Sequence, residues 1–280
     1  MRAGENVIGA GREAGTGICA NESGAGVWTV PVTGGAREMR AGRAFMRRRA
    51  RVRSTRVRRV VEVGVALCIP PVWNNWVLPA LGLPLRGRSV ANVLFAGAYT
   101  GVFSGRPNWL SASGLRWGLG SSAVVLAGYG VVLAVPALRK LPAEVAVRVP
   151  DTSTLEWIAV HIPVGTVLAE EAVFRATLDP LLDSRGCPPI VGAADFALWH
   201  IHPARTAGDS LPVTLAATTV AGLIFSALRR RADSATAPAL LHLTINAGGA
   251  LLPTLATYVE TRLAAGSGIG RLRGPLTIQP

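Results

Sequence analysis

The sequence predicts an all-α, polytopic membrane protein with about seven transmembrane helices, and three observations carry that reading. Half of the 280 residues are apolar and mean hydropathy is positive, at +0.37. Charged residues make up 16% of the chain, well under the roughly 25% typical of a soluble domain. From Val60 onward the chain is a succession of apolar runs, several near the roughly 20 residues that a helix needs to cross a bilayer.

The segment 1–36 is rich in Gly, Ala and small polar residues and shows no periodicity, the composition of a disordered segment. Met39 and Met46 are alternative starts. The N-terminus lacks the apolar core of a secretion signal. Eleven arginines fall between Arg37 and Arg59, directly before the first long apolar run. Most of the +13 formal charge is therefore read as a cytoplasmic membrane flank over 37–59. Nucleic acid is not an expected partner, because no nucleic-acid module accompanies the charge.

The runs are Val60–Leu83, Ser89–Phe103, Leu119–Leu138, Leu155–Leu178, Pro189–Ile201, Leu211–Leu228 and Ala235–Tyr258. Pro70-Pro71 and Asn74-Asn75 should kink the first. The second and fifth are short, to be extended by their flanks or buried among other helices. Together 60–260 is expected to form the transmembrane domain, followed by a tail over 261–280. With seven crossings the basic flank and Arg229-Arg230-Arg231 lie on the cytoplasmic side, with Arg139, Lys140 and Arg148 opposite. Cys19, Cys68 and Cys187 show neither a disulfide framework nor a cysteine metal site.

Chemistry concentrates in three polar clusters within apolar runs, where ionisable residues are costly and usually functional. In Glu170-Glu171-x-x-x-Arg175, Glu171 and Arg175 are four apart, with the acid first, as suits an ion pair. Glu170 is left without an in-helix cation and is the expected general base. In Phe196-x-x-x-His200 the same spacing places an aromatic ring beneath an imidazole. His202 falls on another face, as an interface residue. In His242-x-x-x-Asn246 an imidazole and an amide share a face, and both can donate to an oxyanion. Each cluster alone could be a structural salt bridge or inter-helix glue. Counted at 1.5 Å per residue, Glu170, His200 and His242 lie about 12, 16 and 10 Å from their helix ends, in one leaflet.

The ordered set resembles the CPBP intramembrane proteases, which include CAAX prenyl-protein endopeptidases and bacteriocin-processing and immunity-type (Abi) proteins. The resemblance covers roughly Leu155 to Gly249. It implies a glutamic-type endopeptidase of the cell membrane, hydrolysing a membrane-associated or membrane-inserted peptide near the cytoplasmic face. Glu170 and His200 would activate water. His242 and Asn246 would stabilise the oxyanion, with Glu171, Arg175 and Phe196 in support. A metal-free site is the preferred expectation; the alternative is a zinc site built from Glu170, His200 and His242. A membrane scaffold or immunity-type protein using the same cavity is the non-catalytic alternative, and a transporter is a weaker one. The sequence departs from many members in having only a Gly- and Arg-containing tail after Glu260.

Overall fold

The computed structural model describes residues 57–140, 142 and 152–271. The expected disordered segment 1–36, Cys19, most of the basic flank and the end of the tail lie outside the described residues. Contacts divide the chain into Met1–Glu62 and Val63–Pro280. Residues 57–62 of the first unit are the start of a helix that runs on to Ala80; apart from that turn and a half, the architecture below is that of the second.

Nine helices are followed here among the described residues: α1 (Val57–Ala80), α2 (Leu85–Val102), α3 (Ala112–Ala134), the single turn α4 (Pro136–Arg139), α5 (Thr154–Ser184), α6 (Pro189–Trp199), α7 (Ile201–Ala207), α8 (Leu211–Ala232) and α9 (Thr236–Arg271). No strand occurs among the described residues. Five helices are long and apolar enough to cross a membrane: α1, α3, α5, α8 and α9. A polytopic helical membrane bundle is therefore the fold. The two short runs form α2, whose 18 residues begin with Arg86 and Arg88 in the first turn, and α6, of 11 residues. At 1.5 Å per residue α6 is about 16 Å long, half the hydrocarbon thickness.

Helix α5 is the centre of the bundle. Half of its apolar window is buried inside the protein, against 11–17% for the other four spans. This difference shows which helix is walled by protein and which present most of their surface outward. Large apolar side chains such as Leu94, Leu119, Val124, Val213 and Val220 are accordingly exposed, a distribution suited to lipid and costly in water.

Small residues set the close approaches. A Cβ added to Gly222 of α8 would lie 3.0 Å from the Ala193 Cα of α6, so the two backbones touch, as membrane helices with small residues allow. A side chain at Gly165 of α5 would likewise run into Ser89 of α2.

Two helices depart from α geometry. Trp73–Val77 in α1 is wound as a π-helix. In α5, Trp157–Leu168 and Phe174–Leu178 are π-helical, the first around Pro163, which cannot donate a backbone hydrogen bond. The expected kink in α1 is thus a locally widened helix. Such stretches are uncommon and concentrate at functional sites.

The basic triplet used as a topology marker is also held by the protein. Arg229 and Arg230 contact Asp183 at 3.3 and 2.8 Å, and the Arg231 guanidinium lies 4.9 Å from the Trp117 ring centre.

Candidate active site

The three clusters meet in one place. A cavity of about 410 Å³ opens between α2 and α5, but the clusters line a larger one, of about 610 Å³, with Glu170, Phe196, His200, His242 and Asn246 on its wall. That volume is within the range of small-ligand sites. Glu170 and Glu171 come from the α-helical stretch Ala169–Val173 at the heart of α5, and both are buried. His200 sits in the break between α6 and α7, with φ −90° and ψ 3°, and not inside a continuing helix as the apolar run suggested. His242 and Asn246 lie one turn apart on α9.

Glu170 is the common vertex. Its Oε2 lies 3.9 Å from His200 Nε2 and 3.9 Å from His242 Nε2. Its Oε1 accepts a hydrogen bond from Trp199 Nε1 at 3.1 Å. Buried Oε2 accepts no hydrogen bond among the described residues, so this oxygen is the one presented to an incoming group.

Hydrogen bonding fixes how each imidazole presents itself. His200 Nδ1 is 2.7 Å from the Phe196 carbonyl oxygen. A carbonyl can only accept, so Nδ1 carries the proton and neutral His200 turns an Nε2 lone pair toward Glu170. His242 Nδ1 is 2.9 Å from Glu171 Oε1. With a carboxylate as acceptor the same logic holds, and His242 Nε2 also faces Glu170. When doubly protonated, His242 donates from both nitrogens.

The expected Glu171–Arg175 brace is present, at 3.6 Å with both side chains fully buried. The π-helical winding that begins at Phe174 lies between the partners, and the contact is longer than a good hydrogen bond. Aromatic faces complete the surroundings of the cation. The Arg175 guanidinium lies 4.4, 5.3 and 5.6 Å from the ring centres of Phe196, Phe225 and Phe174. Phe196 packs edge-on to His200 at 4.8 Å, as the spacing predicts. Phe225 stacks on His242 at 4.9 Å.

Several contributors escaped the sequence reading. Glu171 holds His242 as well as Arg175, a contact between helices that no spacing within one helix reveals. Trp199 stands beside His200 in the motif, and its neighbour's position was the available signal. Phe225 on α8 carries no polar mark at all. His161 forms a separate polar chain across the α2–α5 contact: Ser89 Oγ lies 2.8 Å from Nδ1 and Glu156 Oε1 3.1 Å from Nε2, with Arg86 on Glu156 at 2.7 Å. The His202 backbone N–H donates to Asn75 Oδ1 at 2.6 Å.

The donor set of a zinc site is chemically represented: one carboxylate oxygen, two Nε2 atoms, and two Nδ1 groups anchored as outer-shell partners usually are. The 3.9 Å contacts are wider than the roughly 3.4 Å between tetrahedral ligands of a zinc ion. Among the described residues no three His, Cys, Asp or Glu side chains are gathered tightly enough to hold a metal ion. The chemistry fits the ion; the spacing requires the three groups to close inward.

A buried acid faced by two oriented imidazoles, inside a helical membrane bundle, defines a membrane protein with a hydrolase-like polar site. Residues 152–248 match the family model for type II CAAX prenyl endopeptidases, Rce1-like. That model is of the CPBP/CAAX protease family that the three motifs resemble, and the matched segment contains every residue of the Glu170, His200 and His242 clusters. No curated protein and no solved structure matches the chain.

Proposed function

We propose that this protein is an intramembrane endopeptidase that hydrolyses a peptide bond of a membrane-associated or membrane-inserted substrate near the cytoplasmic face of the cell membrane. The observation that carries this reading is the placement of Glu170 Oε2 between two imidazole nitrogens on the wall of a cavity. A gap of 3.9 Å between Glu170 and His200 is too long for a direct hydrogen bond and would be spanned by one water bonded to both. Glu170 and His200 take a proton from that water as its oxygen attacks the peptide carbonyl. Asn246, through its amide, and His242, when Nε2 is protonated, donate to the resulting oxyanion. Glu171 orients His242 and balances its charge, while Arg175 balances Glu171. The proton taken from water passes to the leaving amine as the C–N bond breaks. The test is cleavage of a native substrate by purified protein. Glu170→Ala and His200→Ala should each abolish turnover while the protein still accumulates; parental rates in either variant refute the assignment.

A second reading, a zinc-dependent protease, draws support from the two anchored imidazoles whose Nε2 atoms face one carboxylate oxygen. Glu170, His200 and His242 would hold the ion, which would supply an activated water and Lewis-acid polarisation. Metal analysis of active protein separates the readings. Stoichiometric zinc with loss of activity on chelation establishes the second; full activity at substoichiometric metal establishes the first.

A further inference from the structure

The break that carries His200 lies at the end of a helix too short to cross a bilayer. Helix α6 stops at Trp199 after 11 residues. The last carbonyls of any helix lack partners within it, and where they are buried they must find partners from elsewhere in the protein. Two of these carbonyls are met by side chains from α1. Asn74 Nδ2 donates to the Trp199 carbonyl at 2.7 Å, and Asn75 Nδ2 donates to the Leu198 carbonyl at 2.8 Å. On the other side of the break, Asn75 Oδ1 accepts from the His202 backbone N–H at 2.6 Å. One amide therefore ties the end of α6 to the start of α7, with His200 between the tied groups.

We propose that Asn74 and Asn75 are positioning residues for His200, a proposal that rests on the hydrolytic reading of the Glu170–His200 pair. Three features support it. Both asparagines are buried, at 6% and 9% exposure, although adjacent positions of an α-helix point about 100° apart. They sit in the π-helical stretch Trp73–Val77, which changes that angular spacing, and such stretches concentrate at functional sites. Finally, a carboxamide both donates and accepts; neither a carboxylate nor an apolar side chain of similar size can join a carbonyl to an N–H. The role is exerted through His200: its Nδ1 is tied to Phe196 within α6, so the orientation of the break sets the distance from Nε2 to Glu170.

Two readouts on full-length protein in detergent micelles test the assignment. The first is turnover of a quenched fluorescent, membrane-inserted peptide that the parent cleaves. In Asn75→Leu, kcat should fall about 10- to 100-fold, the scale expected of a misplaced catalytic group, while KM stays within about twofold. The second readout is hydrogen exchange at the His202 amide, which should be markedly faster in Asn75→Leu than in the parent. If that variant does not fold, Asn74→Ala, which removes the bond to Trp199 and a side chain on the cavity wall, is measured by exchange alone at the amides of residues 200–202 and 204. Parental exchange in a folded variant overturns the proposal whatever the activity, as does parental kcat. If parent and Glu170→Ala cleave the peptide equally, the hydrolytic reading fails instead, and exchange still decides whether Asn75 holds the break.

Discussion

The Glu171–Arg175 pair offers the sharpest test of how the site is held. Both side chains are fully buried, and the Arg175 guanidinium nitrogens make no hydrogen bond among the described residues. The cation is thus faced by the Glu171 carboxylate at 3.6 Å, by the charge of buried Asp179 further off and by three aromatic rings. Removing one member of a buried ion pair typically costs about 3–5 kcal/mol, because the other charge is stranded. The structure predicts an asymmetry. Glu171→Gln keeps an acceptor for His242 but strands Arg175, and should cost about 3–5 kcal/mol. Arg175→Met keeps apolar bulk among the rings and leaves Glu171 bonded to His242 at 2.9 Å. It should cost less, about 1–3 kcal/mol. The double variant strands no charge and should recover most of the larger loss, giving a coupling energy above about 1 kcal/mol. Reversible unfolding in mixed micelles, with the four proteins in parallel, measures the cycle. Strict additivity, or a greater loss for Arg175→Met than for Glu171→Gln, would refute the claim that Glu171 is the counter-charge on which Arg175 depends.

Two further outcomes are expected. Trp199→Phe preserves an aromatic ring beside Phe174, which meets Trp199 edge-on at 5.6 Å, but removes the donor to Glu170 Oε1. Steady-state kinetics should show kcat lowered about tenfold, the equivalent of one hydrogen bond to a charged group at the low end of its range; an unchanged kcat would mean that the indole does not hold the acid. Gly222→Leu forces bulk against the Ala193 backbone and should destabilise the protein by about 1–3 kcal/mol through overpacking. A melting temperature equal to that of the parent would show that α6 and α8 are not locked together there.

The four-residue motif spacings were reliable for contacts about one turn apart. Phe196 under His200 and Glu171 beside Arg175 follow from a four-residue separation, and both contacts form. The kink anticipated at Asn74-Asn75 marked the right place but missed its consequence, because nothing in α1 announces which carbonyls its side chains will reach 125 residues away. The fifth apolar run read as a continuous short helix through Ile201, whereas the chain breaks at His200. Hydropathy registers that the segment is buried and is blind to where its hydrogen bonds stop.

Composition and run length by themselves determined that this chain is a helical membrane protein, since only helices with satisfied backbones can use such long apolar stretches in lipid. The order and spacing of the polar residues pointed to the family whose model residues 152–248 match. Tertiary structure alone decided how those residues are partnered: Glu171 with His242 as well as Arg175, Trp199 on Glu170, and Asn75 across the break at His200. The physical reason is one of range. Periodicity fixes neighbours on a helix surface, three or four residues apart, while a site assembled from α1, α5, α6 and α9 depends on how small residues and widened turns let whole helices approach one another.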